Sequence, residues 1–298
     1  SRGLGDVYKR QDPDEAEQLR SRCQGSEAIV TAVKETEKKV KAPKLYDLTT
    51  LQREANRIYG MTAKQTLDTA QSLYEKKLIT YPRTDSQYLT EDMEQTARNV
   101  VRQIYEKYQL TGPFDQPEQP DVKKVMNNSK VTDHHAIIPT MELASCHLDE
   151  VKSWEEKILF LIAVHTVMAM SKDHIYQETE IEVECQGEIF KAKGKNVLQD
   201  GWKVFENCFK NKDRMAIIDP DQEMKERMPK VTQGQTFYAV AAEKTEHFTS
   251  PPKPYSEDTL LAAMETAGNK EFDEDTEKKG LGTPATRAGI IEKLIYSQ

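Results

Sequence analysis

Residues Ile158–Met170, reading ILFLIAVHTVMAM, constrain this chain more than any other stretch. An ordinary surface helix hides one apolar stripe, but here apolar side chains point almost all round a 3.6-residue period. Extended back to Asp149, the segment predicts a long helix buried between layers of other structure. It is too short to cross a bilayer and is interrupted by His165 and Thr166. The rest of the chain must therefore supply partner helices on several sides.

The preceding sequence provides them. From Asp47, the residues Leu51, Ala55, Ile58 and Tyr59 recur at helical spacing up to Gly60. Thr62 with Gln65 forms a capping box, and Ala63, Leu67, Ala70 and Tyr74 continue at helical spacing to Lys77. Thr90 offers a further N-cap, with Glu91 and Asp92 in a first turn where the helix dipole favours acids. Met93, Ala97, Val100, Val101, Ile104, Tyr105 and Tyr108 then make an apolar stripe. The three prolines of TGPFDQPEQPD, Thr111 to Asp121, predict a surface connection.

After Lys172 the period becomes two. Thr179, Ile181, Val183 and Cys185 alternate with glutamates, Gln186 and Gly187 turn the chain, and Ile189 to Lys193 return as a hairpin partner. Further strands are expected at Ala28–Glu35 and Thr236–Ala242, and a short acidic helix at Asp12–Arg22. Pro43 marks a linker, and Pro251 with Pro252 marks another boundary. Ser256 caps a helix through Leu260, Leu261 and Met264 that stops at Gly268, and the charged loop EFDEDTEKK follows. In GLGTPATRAGIIEKL, Thr283 caps, Pro284 takes the first helical position, and Ile290, Ile291 and Leu294 are the expected buried face. Residues 1–11 show no periodicity and are set aside as a non-native tail. No internal repeat is present.

Composition limits the function classes. A net charge of −8 argues against strong nucleic-acid binding by the chain as a whole, since phosphate affinity needs clustered Lys and Arg. Local clusters can override the total. Lys34, Lys38, Lys39, Lys41 and Lys44 form the densest basic run, readable as a solvated edge or as a phosphate-tracking patch. Cys23, Cys146, Cys185 and Cys208 lie far apart without a C-x-x-C pair, which fits a reducing cytosol and excludes a zinc ribbon. No signal peptide is evident.

Three constellations could carry chemistry. In ITYPRTDSQY, Ile79–Tyr88, Pro82 holds Tyr81 extended, and side chains two apart then point to one side. Arg83 could favour the Tyr81 phenolate or bind a phosphate, because a free phenol, with a pKa of about 10, is a poor nucleophile. Thr84 and Ser86 add hydroxyl donors. The chemistry alone leaves a phosphate-handling loop and a plain surface tyrosine both open. Asp133, His134 and His135 form the second constellation. Adjacent histidines on a strand face opposite ways, which weakens a metal reading and leaves a structural or a proton-carrying histidine. The third, GLGTPATR, places glycines, Thr283, Thr286 and Arg287 at a helix N-terminus suited to an anion. Neither G-x-G-x-x-G nor a P-loop is present.

Together, ITYPRTDSQYL, HHAIIPT and GLGTPATRAGIIEKL resemble the type IA DNA topoisomerases, and within them the topoisomerase III branch. LYDLTTLQREANRIYGMTAKQTLDTAQSLYE and PPKPYSEDTLLAAMETAG look like the same family. The resemblance implies an α+β multidomain fold. A helical arch, residues 47–165, would carry Tyr81; a discontinuous β-rich gate or hinge domain would comprise residues 12–46 and 166–248; residues 249–298 would begin a helical DNA-binding domain. It implies that Tyr81 attacks a single-stranded DNA phosphodiester and holds the 5′ phosphate, that Arg83 stabilises charge, and that His134 is the active-site histidine. Thr84, Asp85, Ser86, Thr283, Thr286 and Arg287 would contact DNA. His135 stands where relatives often carry Glu, and Ala285 where some carry Ser.

The resemblance further implies strand passage and religation without ATP, in a cytoplasmic, nucleoid-associated monomer that is not membrane-bound. Magnesium would be held by a Toprim domain that is not recognisable ahead of Tyr81, so no metal ligand is expected in this chain. The chain reads as an internal fragment, inactive alone. A noncatalytic single-strand-binding fragment and a tyrosine relaxase or replication nuclease are the alternatives.

Overall fold

The computed structural model describes residues 12–110, 120–147, 151–206, 230–267 and 280–296. The expected tail, most of the proline-rich connection, the EFDEDTEKK loop, Gly268 and Cys208 lie outside the described residues. The chain is a mixed helix and sheet protein that divides into two compact units.

One unit draws its described residues from 12–40, 173–200 and 230–252. Its antiparallel sheet has the order β3-β2-β1-β4, with β1 at Ala28–Val40, β2 at His174–Cys185, β3 at Glu188–Gln199 and β4 at Thr236–Phe237. The β2–β3 turn is made by Gln186 and Gly187, both at positive φ, as a tight two-residue hairpin requires. Helix α1, Pro13–Cys23, is capped by Asp12. It buries Leu19 and Cys23 against Ala28, Val30, Ile181, Val183 and Cys185.

Two expectations change here. β1 does not fray at Glu35 but runs on to Val40, because β2 pairs with it along that whole length: Lys34 lies opposite Glu180, Lys38 opposite Tyr176 and Lys39 opposite Ile175. Lys38 reaches Glu178 at 3.9 Å and Lys39 reaches Asp173 at 3.1 Å, so these lysines belong to a solvated charge ladder. The strand expected over Thr236–Ala242 is only Thr236–Phe237, since its register with β1 ends there.

The other unit draws its described residues from 41–172, 201–206 and 253–296. This unit runs from Lys41 to Lys172 and takes in the segment after Pro252. Helices α2 (Leu48–Tyr59), α3 (Ala63–Glu75) and α4 (Glu94–Tyr108) surround α5 (Ser153–Ala169). Every residue of α5 from Ile158 to Ala169 is buried, as its all-round apolarity demands. Gly60 closes α2 in the left-handed region, and the Thr62–Gln65 box starts α3.

The cap at Thr90 differs from expectation. Its side chain makes no capping bond, residues Glu91–Met93 form a single 3-10 turn, and the Glu91 amide donates instead to Asn128 at 2.8 Å.

Helices α6 (Glu257–Thr266) and α7 (Pro284–Tyr296) form a small cluster with Ala63 through Leu261, Met264, Ala288 and Ile291. The buried face of α7 is Arg287, Ala288 and Ile291; Ile290 and Leu294 are exposed among the described residues, contrary to expectation. The helix is apolar on more than one side, so its spacing alone did not say which side meets α3.

Candidate active site

Residues 81–86 follow α3 as a loop that bends at Pro82 and Arg83 and whose exposure alternates. Pro82, Thr84 and Ser86 are buried, Arg83 and Asp85 are exposed, and Tyr81 is half-buried. The outer side thus presents Arg83 and Asp85, with Tyr81 half-buried beside them.

The inner side holds the loop in place. Thr84, 3% exposed, donates its hydroxyl to the carbonyl oxygen of His134 at 3.0 Å and accepts from the Ser86 amide at 3.1 Å. Ser86, 4% exposed, donates to the Lys130 carbonyl at 2.8 Å and accepts from the Tyr88 amide. Both hydroxyls, expected to reach DNA, are occupied by the protein's own backbone and position the loop instead. The Thr84 carbonyl in turn accepts from the Leu48 amide at 3.0 Å, tying the loop to the first turn of α2.

His134 arrives on a second extended segment held by backbone pairing. Ile137 pairs with Tyr46, the Thr80 amide donates to Ile138, and the Ala136 amide donates to Tyr88. This brings the exposed His134 ring to 4.2 Å from the Tyr81 ring, centroid to centroid. Tyr74, expected on the apolar stripe of α3, is 39% exposed and meets Tyr81 edge to face at 5.3 Å. The neighbouring His135 places Nδ1 2.8 Å from the Ala136 carbonyl, so the two histidines do not converge.

The GLGTPATR segment comes to the same part of this unit. Thr283 and Thr286 are exposed and bond each other at 3.0 Å, closing the N-terminus of α7 in capping-box fashion. Arg287 is 3% exposed: Nε donates to the Leu281 carbonyl at 3.0 Å and Nη1 to the Thr49 hydroxyl at 3.0 Å. Its guanidinium is an internal brace, whereas the sequence suggested a DNA contact. Lys64 is held above its ordinary pKa chiefly by its bond to Asp68. Asp47 caps α2 from a buried position, and burial raises its carboxyl to about 6. Thr50 opposes the rise by hydrogen bonding, while Glu265 and Asp85 add repulsion.

Comparison with known proteins decides the family. A family model described as DNA topoisomerase matches residues 6–298, beginning inside the segment set aside as a tail. The chain belongs to the type IA DNA topoisomerase family. DNA topoisomerase 3 of Bacillus licheniformis is 38% identical over 295 residues, covering 93% of this chain and 38% of the relative. DNA topoisomerase 3 of Bacillus subtilis strain 168 is 38% identical over 296 residues, covering 95% of this chain and 40% of the relative. The chain thus spans about two fifths of the length of these curated relatives. Full-length topoisomerase I from Thermotoga maritima shares the fold, with a TM-score of 0.66 at 24% identity over 98% of this chain and 44% of that one.

For a topoisomerase, the ionic inventory of the site is spare. Among the described residues no group of three or more His, Cys, Asp or Glu side chains is placed to hold a metal ion. Nor is any described helix long and apolar enough to cross a membrane. Two site features escaped the sequence, Tyr74 against Tyr81 and the buried Asp47 cap. The first had a legible signal, since Tyr74 sits in the last turn of α3, next to the loop. The second had none, because burial of a cap depends on what the later α6 brings.

Proposed function

We propose that this chain carries the nucleophile half of a type IA topoisomerase active site and that Tyr81 attacks a phosphodiester of single-stranded DNA. The observation that carries this reading is the Tyr81 ring against His134, on a loop whose outer side also presents Arg83. In the step, a bond forms between the Tyr81 oxygen and phosphorus while the bond from phosphorus to the 3′ oxygen breaks. The phenol loses its proton and the departing 3′ oxygen gains one. Religation reverses both events, so phosphodiester energy is conserved and ATP is not required. Arg83 offsets charge at the phosphate, and the imidazole of His134 is suited to hold or pass a proton beside it. Asp85, Thr283 and Thr286 lie on exposed positions open to the strand.

The acidic magnesium site that the resemblance implies would lie in the part of the relatives' length that this chain does not span. On this reading the isolated chain binds single strands but cleaves them poorly, and the intact protein is a cytoplasmic, nucleoid-associated monomer that passes one strand through another.

The test is to incubate end-labelled single-stranded DNA and magnesium with the chain, alone and joined to the remaining sequence of a topoisomerase 3, and to trap covalent adducts by denaturation. An adduct at Tyr81 that disappears in Tyr81→Phe is expected with the joined protein. An adduct of equal yield in Tyr81→Phe would exclude Tyr81 as the nucleophile.

A further inference from the structure

A hollow of about 400 Å³ opens beside the tyrosine loop, lined by Tyr74, Glu75, Lys77, Ile79, Thr80 and Thr140. Its polar groups fall into two sets. The threonine hydroxyls are committed to the framework: Thr80 donates to the Ala136 carbonyl and accepts from the Ile138 amide, and Thr140 donates to the Lys77 carbonyl. The charged groups are available. Glu75 is exposed and accepts one bond, from Gln71 at 3.1 Å, and no hydrogen bond or ion pair engages the Lys77 ammonium among the described residues.

Lys77 also has an unusual backbone. It sits at φ 61°, in the left-handed region where a residue without Cβ is at ease. The turn is fixed around it, with its amide on the Tyr74 carbonyl, the Leu78 amide on the Leu73 carbonyl and the Thr140 amide on the Leu78 carbonyl. This left-handed residue closes α3 in the manner common at helix C-termini, and it sets Lys77 at the rim of the hollow. Tyr74 links the hollow to the chemistry, for it lines the hollow and touches the Tyr81 ring.

We infer that this hollow is a nucleobase subsite for the strand whose phosphate lies at Tyr81, an inference that rests on the function proposed above. The base stacks on Tyr74, the Lys77 ammonium takes an adjoining phosphate, and Glu75 accepts from an exocyclic amino group. The carboxylate repels phosphate and so fixes which end of the nucleotide enters. Cytosine, adenine and guanine can each offer Glu75 an exocyclic amino group, whereas thymine has none and offers the carboxylate only its N3–H. The subsite therefore discriminates by base next to the scissile position, and Tyr74 and Glu75 are its specificity residues.

The experiment uses the 298-residue chain and fluorescein-labelled single-stranded oligonucleotides in which each nucleotide in turn is made abasic. One position is expected to lose affinity about 5- to 100-fold, the range for one stacked base, and that loss should vanish in Tyr74→Leu. Lys77→Gly, which suits the left-handed backbone, should keep the thermal midpoint while lowering the salt slope by about 0.7, the value for one single-strand phosphate contact. Glu75→Gln should reduce the preference for cytosine over thymine at the sensitive position. An abasic profile unchanged by Tyr74→Leu overturns the subsite while leaving a Tyr81 adduct, and the proposed function, intact. Absence of any single-strand binding overturns both.

Discussion

The hydroxyl of Thr84 donates to the carbonyl oxygen of His134 across 3.0 Å, a buried bond that joins the tyrosine loop to the histidine segment alongside their backbone pairing. The same oxygen accepts from the Ser86 amide, which makes Thr84 the centre of a small network. Thr84→Val keeps the shape and removes both bonds. We expect a loss of about 1–3 kcal/mol, the cost of leaving buried backbone groups unpaired. Urea denaturation of the chain checks this. An unchanged midpoint would mean the loop is held by backbone pairing alone.

Asp47 gives a pH-dependent prediction. Its folded value of about 6 lies above the ordinary 3.8, so the folded chain binds this proton more tightly than the unfolded one. The resulting stability is complete below the unfolded value and is lost as pH rises through about 6. Asn caps a helix as well as Asp does and carries no charge. Asp47→Asn should therefore exceed the wild type by about 1–3 kcal/mol at pH near 7.5, by the pKa-to-energy conversion, and converge with it in acid. His165 shifts with opposite sign, since burial lowers its pKa, but it is common to both proteins and cancels from the difference.

Glu155 is buried at the start of α5 and accepts from Ser72 at 2.7 Å, Lys76 at 2.6 Å and the Lys152 amide at 3.0 Å. Burial pushes its pKa up, yet these donors together outweigh burial and hold it below the ordinary carboxylate value. Its stabilisation is present above that value and fades as pH falls through the lower folded one. Lys76→Met should cost about 1–3 kcal/mol near neutrality by leaving a buried charge under-satisfied. The gap from wild type should narrow in acid, as followed by denaturation at several pH values.

For Arg287, two roles separate cleanly by measurement. As a buried brace, Arg287→Met should lower the thermal midpoint and destabilise by about 2–4 kcal/mol, in line with loss of a buried charged hydrogen-bonding group. As a DNA contact, it would weaken single-strand binding and leave the midpoint unmoved. The geometry predicts the first outcome.

Much of the helical architecture was legible in sequence because local signals and burial agree there. The Thr62–Gln65 box, Gly60 and the all-round apolarity of Ile158–Met170 each specify one structure without outside help. The sheet edge was less legible. Lys38 and Lys39 look like the frayed end of a strand until Glu178 and Asp173, far along the chain, come alongside. In the site, Tyr81 with Arg83 and His134 could be named from motifs. For Thr84, Ser86 and Arg287 the partner is not legible, because polarity in a loop does not reveal whether the polar atom faces water or a carbonyl. That distinction exists only once the Lys130–Pro139 region is folded against the loop.

The first turn of α2 is a mechanical joint. Leu48 is pinned to the tyrosine loop through Thr84, and Thr49, its immediate neighbour, is pinned to the α7 segment through Arg287. One load path between the two motifs is thus a single peptide unit. Any force that draws α7 away from α2 arrives next at the residue holding Thr84, so slack at one motif becomes slack at the other.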